Sequence, residues 1–149
     1  MPTYVCTTAT NRLTPEQKRS VVEVITTAHV EATGAPRFVV QVIFNEIAAG
    51  QHYINEIPVS SDQIWIRADI RAGRTEEQTR DIISRITNLG SEATGIDASF
   101  FWIYLCDITT MSEFGSVMPK PGGEGQWIAS LPADVKKRYK FDDPNTTWK

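Results

Sequence analysis

The sequence contains few of the residues that form metal centres and disulfide frameworks. Its 149 residues include two cysteines and two histidines, with no close cluster of acidic or thiol side chains, so a metal site is poorly supported. Cys6 and Cys106 both lie in apolar segments, which favours buried thiols over a disulfide. We therefore expect a cytoplasmic protein with reduced cysteines and no bound metal.

Long apolar runs and an excess of basic residues are also missing. The longest apolar run, from Phe100 to Cys106, has seven residues, whereas a membrane-spanning helix needs about 20. The first residues, Met-Pro-Thr, lack the basic and apolar regions of a signal peptide. Fifteen Lys and Arg against eighteen Asp and Glu give a net charge of −3, which argues against a nucleic-acid or membrane-surface partner. Neither a glycine-rich phosphate loop nor a Gly-x-Ser-x-Gly nucleophile motif is present.

What the sequence does contain is an internal repeat with an offset of 61 residues. Glu-Ala-Thr-Gly at 31–34 recurs at 92–95, and ten of the twenty-one positions 14–34 are identical to their partners at 75–95. The length of 149 residues corresponds to about one domain. Two equivalent supersecondary units within that domain explain the repeat.

Each unit has the pattern of a β-α-β motif. Strands are expected at Thr3–Thr8, Phe38–Phe44, Ile64–Ile70 and Phe100–Cys106. The second and fourth of these are near-continuous apolar runs, which are typical of strands buried in a sheet. With right-handed crossovers in each half, the order β-α-β-β-α-β predicts an α+β fold, a four-stranded sheet with two helices on one face.

Both helices carry start and stop signals at matching positions. Thr14 and Thr75 are candidate N-caps, each followed three residues later by a Gln that completes a capping box. Gly34 and Gly95 lie where a left-handed C-cap glycine belongs. Apolar residues spaced by three and four between these signals predict one buried face on each helix.

The chain, residues 1–149, is expected to be a single domain of two units, a linker and an arm. The boundaries are unit one at 1–49, the linker at 50–63, unit two at 64–107 and the C-terminal arm at 108–149. The arm is Pro- and Gly-rich and without periodicity, so we expect it to be irregular, with Trp127 and Trp148 buried against the body or a neighbouring subunit. Apolar residues on the second face of the sheet predict an oligomer.

Positions at which the two units differ indicate where something other than the fold acts. Four such positions, which the fold alone would keep alike, have Pro2 where the other unit has Gln63, His29 for Gly90, Arg74 for Leu13 and Tyr104 for Ile43. Ordinary explanations exist too, since His29 and Tyr104 suit core positions and Glu113, in the loop after the last strand, suits a solvated acid. The residues alone leave both kinds of explanation open.

Two of these features point to chemistry. Removal of Met1 would leave Pro2 as an amino-terminal secondary amine that can exchange a proton near neutral pH. Arg71 and Arg74 flank Ala-Gly directly before the second helix, where the helix dipole and free N–H groups also attract anions. Two guanidinium groups at that place suit a substrate carboxylate, with two solvated surface arginines as the alternative.

Seven short segments together carry a resemblance that covers nearly the whole chain. They are Met-Pro-Thr-Tyr at 1–4, Ile-Thr-Thr-Ala-His at 25–29, Gln-Val-Ile-Phe-Asn-Glu at 41–46, Ile-Arg-Ala-Gly-Arg-Thr at 70–75, Trp-Ile-Tyr at 102–104, Glu-Phe-Gly at 113–115 and Pro-Gly-Gly-Glu-Gly-Gln-Trp at 121–127. In this combination the sequence resembles the tautomerase superfamily, specifically its cis-3-chloroacrylic acid dehalogenase-like group.

The resemblance implies a tautomerase-like tandem β-α-β fold, a homotrimer, no cofactor and catalysis by an amino-terminal proline. It assigns catalysis to Pro2, Glu113 and Tyr104, and substrate binding to His29, Arg71 and Arg74. In the implied reaction, the binding residues hold the carboxylate of a 3-haloacrylate. Glu113 with Tyr104 activates water for attack at C3, and protonated Pro2 delivers a proton to C2. The resulting halohydrin loses halide and leaves malonate semialdehyde.

Two alternatives remain open alongside dehalogenation. With Pro2 neutral, the same site would act as a keto-enol tautomerase of 2-hydroxydienoates or arylenolpyruvates, because a neutral amine can accept the enol proton. If Met1 is retained, the Pro2 nitrogen is an amide without useful basicity. The chain would then be a non-catalytic carboxylate-binding or assembly protein.

Overall fold

A computed structural model describes residues 1–59 and 62–141, which form an α+β fold. The strands are β1 (Thr3–Ala9), β2 (Gln41–Ile47), β3 (Tyr53–Ile54), β4 (Ile57–Pro58), β5 (Ile64–Arg71), β6 (Phe101–Ile108), β7 (Ser112–Glu113) and β8 (Ser116–Val117). The helices are α1 (Pro15–Thr33), α2 (Glu76–Thr94), α3 (Glu124–Ser130) and α4 (Ala133–Arg138). Short 3₁₀ turns at Arg37–Val39 and Ala98–Phe100 precede β2 and β6.

Four of the strands form one mixed sheet in the order β2-β1-β5-β6. The central strands β1 and β5 are antiparallel, and β2 and β6 run parallel to β1 and β5 respectively. The amino end of β1 therefore lies beside the carboxyl end of β5, with Thr3 opposite Asp69. The predicted α+β class and four-stranded sheet are confirmed.

Helices α1 and α2 begin and end at the predicted signals. The side chains of Thr14 and Thr75 each accept a bond from the backbone of the glutamine at N3, which bonds back to the cap. Gly34 and Gly95 end the helices with φ values of 71° and 72°, a left-handed conformation that a Cβ disfavours. Each cap glutamine also donates to a carbonyl at the end of the other helix, so the caps join the two helices.

The core lies between the two long helices and one face of the sheet. The buried hydrophobic residues of β1 and β5 alternate along the strands and are Tyr4, Cys6, Ile64, Ile66, Ala68 and Ile70. They pack with Val21, Ile25 and Ala28 of α1 and with Ile82 and Ile86 of α2. On the opposite face of the sheet, Ile43, Trp102 and Tyr104 remain 41%, 41% and 52% exposed.

The two outer strands differ from the sequence prediction. The strand predicted at Phe38–Phe44 is displaced, because residues 37–39 form a 3₁₀ turn and β2 occupies Gln41–Ile47. The strand predicted at Phe100–Cys106 starts one residue later and continues to Ile108, one residue into the predicted arm. Both are edge strands with an exposed outer face. An apolar run in the sequence does not distinguish such an edge strand from a central buried strand.

The linker and the C-terminal arm contain regular structure that periodicity did not predict. The linker forms the hairpin β3–β4, and the arm contains the hairpin β7–β8 followed by α3 and α4. Trp127 is buried, as expected, in a small cluster with Met118 and Leu131. Elements of two to seven residues are shorter than the window in which periodicity is readable. Trp148 lies outside the described residues.

The cysteines and the helices of the described residues bear on two of the expectations drawn from composition. Cys6 is buried and Cys106 is half-buried, and both are free thiols. Within these ranges, no helix has the length and apolar character needed to cross a membrane.

Candidate active site

A small pocket lies where the amino end of β1 meets the carboxyl end of β5. It is lined by Met1, Pro2, His29, Ala35, Val39, Arg71, Arg74 and Met118. The antiparallel pairing of the central strands brings Pro2 beside the last residues of β5, and α1 supplies His29 from the helical layer. Four of the six residues predicted as the site therefore line one cavity.

Pro2 is buried at the start of β1, and the residue before it connects the pocket to Glu113. The Met1 ammonium forms an ion pair with the Glu113 carboxylate, which the tight β7–β8 hairpin presents. Burial lowers the pKa of this ammonium from its ordinary 8.0, Glu113 opposes the lowering, and Arg71 adds to it. The second carboxylate oxygen of Glu113 is buried and has no hydrogen-bond partner among the described residues.

His29 is held inside the protein by Tyr4. The Tyr4 hydroxyl lies 2.8 Å from Nδ1 of His29, and both side chains are almost fully buried. Burial, followed by the positive charges of Arg74 and the amino terminus, lowers the pKa of His29 to about 4, so the imidazole is neutral at pH 7. Its Nε2 atom is buried without a hydrogen-bond partner in the described part of the chain.

Arg74 brings a second unused polar group to the pocket wall. Its Nε is buried and has no hydrogen-bond partner within the described ranges. Burial, and then the neighbouring Arg71, lowers the pKa of Arg74 from its usual value. An arginine nevertheless stays protonated at neutral pH, so the pocket has a fixed positive charge with an unsatisfied N–H donor.

Arg71 lines the same pocket but is already occupied by the C-terminal arm. Its Nη1 donates to the carbonyl oxygen of Pro119 at 3.0 Å, and its Nη2 donates to the Glu124 carboxylate. Burial works to raise the pKa of Glu124, but backbone hydrogen bonds and Arg71 together hold it below its ordinary value. The sequence prediction did not include Glu124. Glu124 is a single acid in a Pro- and Gly-rich stretch, and nothing in that stretch indicates an ion pair with Arg71, 53 residues away.

Glu113 and Tyr104 are the two predicted site residues that do not line the pocket; Glu113 reaches its edge through Met1, whereas Tyr104 lies apart from it. Tyr104 lies on β6, on the exposed face of the sheet, where its ring packs edge-on against Trp65 with the ring centroids 5.8 Å apart. The pocket of one chain is lined by the buried Pro2 and its neighbour Met1, the neutral imidazole of His29 and two guanidinium groups. Across residues 1–59 and 62–141, no three His, Cys, Asp or Glu side chains converge as metal ligands.

Comparison with known families places most of the chain in one family. A family model described as "Putative oxalocrotonate tautomerase enzyme" (Tautomerase_3) matches residues 1–128. Among curated proteins, no sequence matches the chain.

Three solved structures are similar to this chain over most of its length. The crystal structure of N1, a member of the cis-3-chloroacrylic acid dehalogenase family, shares 31% identity, with a TM-score of 0.84, and covers 93% of this chain and 99% of its own. Pt0534, inactivated by 2-oxo-3-pentynoate, shares 28% identity, with a TM-score of 0.65, over 77% of this chain and 92% of its own. An asymmetric trimer of fused 4-OT shares 23% identity, with a TM-score of 0.66, over 72% and 86%, and indicates the fold alone.

Proposed function

Because this chain belongs to the Tautomerase_3 family of putative oxalocrotonate tautomerase enzymes, we propose that it uses Pro2 as an amino-terminal catalyst on a small unsaturated carboxylate. One observation carries the proposal: Pro2 shares its pocket with Arg74 and His29, whose Nε and Nε2 atoms are buried and have no hydrogen-bond partner within residues 1–59 and 62–141. Such groups are costly to bury unless a ligand completes their hydrogen bonds. The similarity to N1 over almost the full length favours a reaction of the cis-3-chloroacrylic acid dehalogenase type.

Removal of Met1 is a condition of this proposal. It converts the buried Pro2 nitrogen from an amide into a secondary amine in the same pocket. The charges around the Met1 ammonium then act on Pro2, with Glu113 stabilising the protonated form and Arg71 opposing it. A buried amine between opposing charges has a pKa that can lie near neutrality, as a proton-transfer catalyst requires.

In the proposed dehalogenation, the cationic wall of the pocket binds the carboxylate of a 3-haloacrylate and draws electron density from C3. Glu113 accepts a proton from water as the water oxygen bonds to C3, and protonated Pro2 gives its proton to C2. The 3-halo-3-hydroxy acid then loses halide from C3 and a proton from its hydroxyl. The organic product is malonate semialdehyde.

A keto-enol tautomerase is the second candidate, and the lowered pKa of the terminal ammonium favours it. Burial and Arg71 both disfavour a charged amine at this position, which suits a neutral Pro2 acting as a base. Pro2 would take the proton from the enol hydroxyl of a 2-hydroxydienoate or arylenolpyruvate and return it to carbon. The carboxylate would bind to the same cationic wall.

Tyr104 can take part only if another copy of the chain brings it to the pocket. It lies on the exposed face of the sheet together with Trp102 and Ile43, and fused 4-OT structures of the same fold are trimers. We therefore propose a homotrimer in which Tyr104 of one copy approaches the pocket of another and helps to orient water.

The test begins with the intact mass of protein purified from its own host. Loss of Met1 is expected, and full retention of Met1 would leave only the non-catalytic carboxylate-binding or assembly role. The processed protein is then incubated with 2-oxo-3-pentynoate, an electrophilic ynone that an amine of low pKa can attack. We expect one adduct, located on Pro2 by peptide mass spectrometry.

Turnover of two substrates separates the candidate reactions. Phenylenolpyruvate reports tautomerisation and cis-3-chloroacrylate reports dehalogenation. For whichever of these two substrates the protein turns over, Pro2→Ala should lower kcat/KM by about 100-fold or more. Pro58→Ala, in the linker hairpin, should leave kcat/KM unchanged. Undiminished turnover by Pro2→Ala would contradict proline catalysis. If the unaltered protein converts phenylenolpyruvate but not cis-3-chloroacrylate, the tautomerase reaction stands and dehalogenation is excluded.

A further inference from the structure

A second cavity lies at the opposite end of the four-stranded sheet from the pocket. The parallel strands β1 and β2 both end there, beside the residue that precedes β5. Its wall includes Thr8 of β1, the turn at residues 48–50 that follows β2, and the side chains of His52 and Gln63. The proposed chemistry of Pro2 does not involve any of these groups.

The internal repeat accounts for this second cavity. Gln63 directly precedes β5, as Pro2 directly precedes β1. Val59 lines the second cavity and Met118 lines the pocket, and each of them directly follows the second strand of a hairpin. Each also donates its backbone N–H to the residue before the first strand of that hairpin, at 3.0 and 2.9 Å. The two units therefore build one cavity each, with different side chains in the wall.

The two cavities differ most in charge. The pocket is lined by Arg71 and Arg74, whereas none of the described residues that line the second cavity is Asp, Glu, Lys or Arg. Asp62, which precedes Gln63, is paired with Nη2 of Arg12 at 3.5 Å. An ionic ligand would lose its hydration in the second cavity without gaining a counter-charge, which is costly. The second cavity therefore suits a neutral ligand.

Two polar side chains in the wall of the second cavity are almost fully buried. Thr8 is 2% exposed and Gln63 is 8% exposed. Thr8 Oγ1 and Gln63 Oε1 have no hydrogen-bond partner within residues 1–59 and 62–141. The two side chains are neighbours, because Thr8 pairs with Ile64 across β1 and β5 and Gln63 precedes Ile64. Burying such atoms is costly unless a partner completes their hydrogen bonds, so both atoms indicate a ligand.

The unpartnered groups suit an amide. Gln63 Oε1 accepts a hydrogen bond, and the Thr8 hydroxyl can donate one. A primary amide has an N–H group for the glutamine oxygen, a carbonyl oxygen for the threonine hydroxyl, and no charge. We propose that the second cavity binds small neutral compounds with a primary amide group, through Gln63 and Thr8. This proposal does not depend on the chemistry of Pro2.

Acetamide is the probe, titrated into the isotope-labelled full-length protein and followed by NMR. We expect saturable shift changes at the backbone amides of Thr8 and residues 48–50 and at the side-chain amide of Gln63. Acetate has the same shape but carries a charge, and N,N-dimethylacetamide has no N–H group. Both should bind about tenfold or more weakly at the second cavity. The Kd values are taken from the residues named here, so that acetate binding in the pocket is counted separately.

Thr8→Val separates ligand binding from a structural role. It removes the hydroxyl and keeps a branched side chain, so acetamide should bind about tenfold or more weakly. The urea midpoint of the ligand-free protein should not fall, because the lost hydroxyl has no partner to leave behind. Thr94→Val is the matched control, since the buried Thr94 hydroxyl donates to the Gly90 carbonyl at 2.7 Å. It should lower the urea midpoint and leave the Kd for acetamide unchanged.

Several results would contradict the proposal. Shift changes that grow linearly with acetamide concentration, without saturation, would mean that water alone fills the second cavity. Equal affinity for acetate or for N,N-dimethylacetamide would exclude recognition of a neutral amide. If Thr8→Val keeps its affinity for acetamide, or loses as much stability as Thr94→Val, the Thr8 hydroxyl is not open to a ligand and the proposal is overturned. The proposed function is tested at the pocket and is unaffected by these outcomes.

Discussion

The hydrogen bond between Tyr4 and His29 bears on which nitrogen of the neutral imidazole carries the proton. The Tyr4 hydroxyl is buried, and the acceptor that the structure provides for it is Nδ1 of His29. If the hydroxyl donates to Nδ1, the proton of the neutral ring resides on Nε2. Nε2–H then serves as a neutral donor to an anionic ligand, next to the charged Arg74.

Tyr4→Phe tests this arrangement. The substitution removes one hydroxyl and leaves Nδ1 buried without its donor, so we expect a loss of about 1–3 kcal/mol in the free energy of unfolding. We also expect the ¹⁵N chemical shifts of His29 to move away from the Nε2–H tautomer, and KM for a carboxylate substrate to rise more than kcat falls. Tyr53→Phe, on the exposed linker hairpin, is the control. Unchanged ¹⁵N shifts would show that Tyr4 does not set the tautomer.

The lowered pKa of His29 predicts how stability depends on pH. In the unfolded chain the imidazole takes up a proton below about pH 6.5, whereas in the folded protein burial delays this until about 4. Because the unfolded state binds more protons between these values, stability is full above pH 6.5 and falls as the pH drops towards 4. The loss attributable to this residue is of the order of 3 kcal/mol.

Urea unfolding at several pH values measures this effect. His29→Gln should flatten the decline between pH 6.5 and 4, although it lowers stability at pH 7. His52→Gln, which replaces the other histidine, should leave the slope unchanged. An equal slope in the protein and in His29→Gln would assign the decline to other groups.

At the scale of elements, the two units are related by sequence but packed differently at one helix position. His29 of α1 corresponds to Gly90 of α2, and the Phe101 ring occupies the space beside Gly90. A Cβ at Gly90 would lie 2.8 Å from Cε1 of Phe101, closer than real contacts allow. In the second unit, therefore, the Phe101 ring occupies the place that the His29 side chain occupies in the first.

Gly90→Ala should destabilise the fold despite the better helix propensity of alanine. Overpacking against Phe101 is expected to cost about 1–3 kcal/mol, which exceeds the gain of about 1 kcal/mol from propensity. Chemical denaturation measures the difference. Gly125→Ala in α3 is the matched control, because its Cβ meets nothing within 4 Å, and it should be neutral or stabilising. An equal gain in both variants would show that Phe101 moves aside freely.

Elements could be predicted from the sequence wherever a local signal specified them. The capping boxes at Thr14 and Thr75 and the glycines at 34 and 95 specified α1 and α2 to within a residue. The two edge strands were displaced or extended, because an apolar run does not show where hydrogen-bond pairing begins. The linker hairpin was missed because both residues of its turn, Asn55 and Glu56, have positive φ although neither is a glycine. The arm hairpin was missed because its strands have two residues each, too few for an alternating pattern to be read.

For the molecule as a whole, the repeat made the site partly predictable. Comparing the two units singled out Pro2, His29 and Arg74, and these lie together in the pocket. Glu124 and Tyr4 escaped notice because their roles depend on which buried groups face each other across distant segments. Tyr104 was singled out, but the single chain leaves it on an exposed face, so its placement depends on assembly.

That exposed face predicts the oligomeric state. Trp102 and Tyr104 of β6 and Ile43 of β2 are exposed on the open face of the sheet, and burying their apolar area against other copies is favourable by about 25 cal/mol per Å². Trp102→Glu should shift the proposed trimer towards a monomer in analytical ultracentrifugation and lower kcat/KM, because Tyr104 would then no longer reach a neighbouring pocket. Ile43→Glu, on the opposite edge strand, should act in the same direction.

Leu89→Glu provides the control, since Leu89 is 37% exposed on α2, away from the open sheet face. It introduces the same charge at a similarly exposed apolar position, so it should leave the sedimentation coefficient unchanged. Circular dichroism of all three variants establishes that the helices remain. A monomeric parent protein at micromolar concentration, or a trimer that persists in both Trp102→Glu and Ile43→Glu, would place the interface elsewhere and remove Tyr104 from the proposed site.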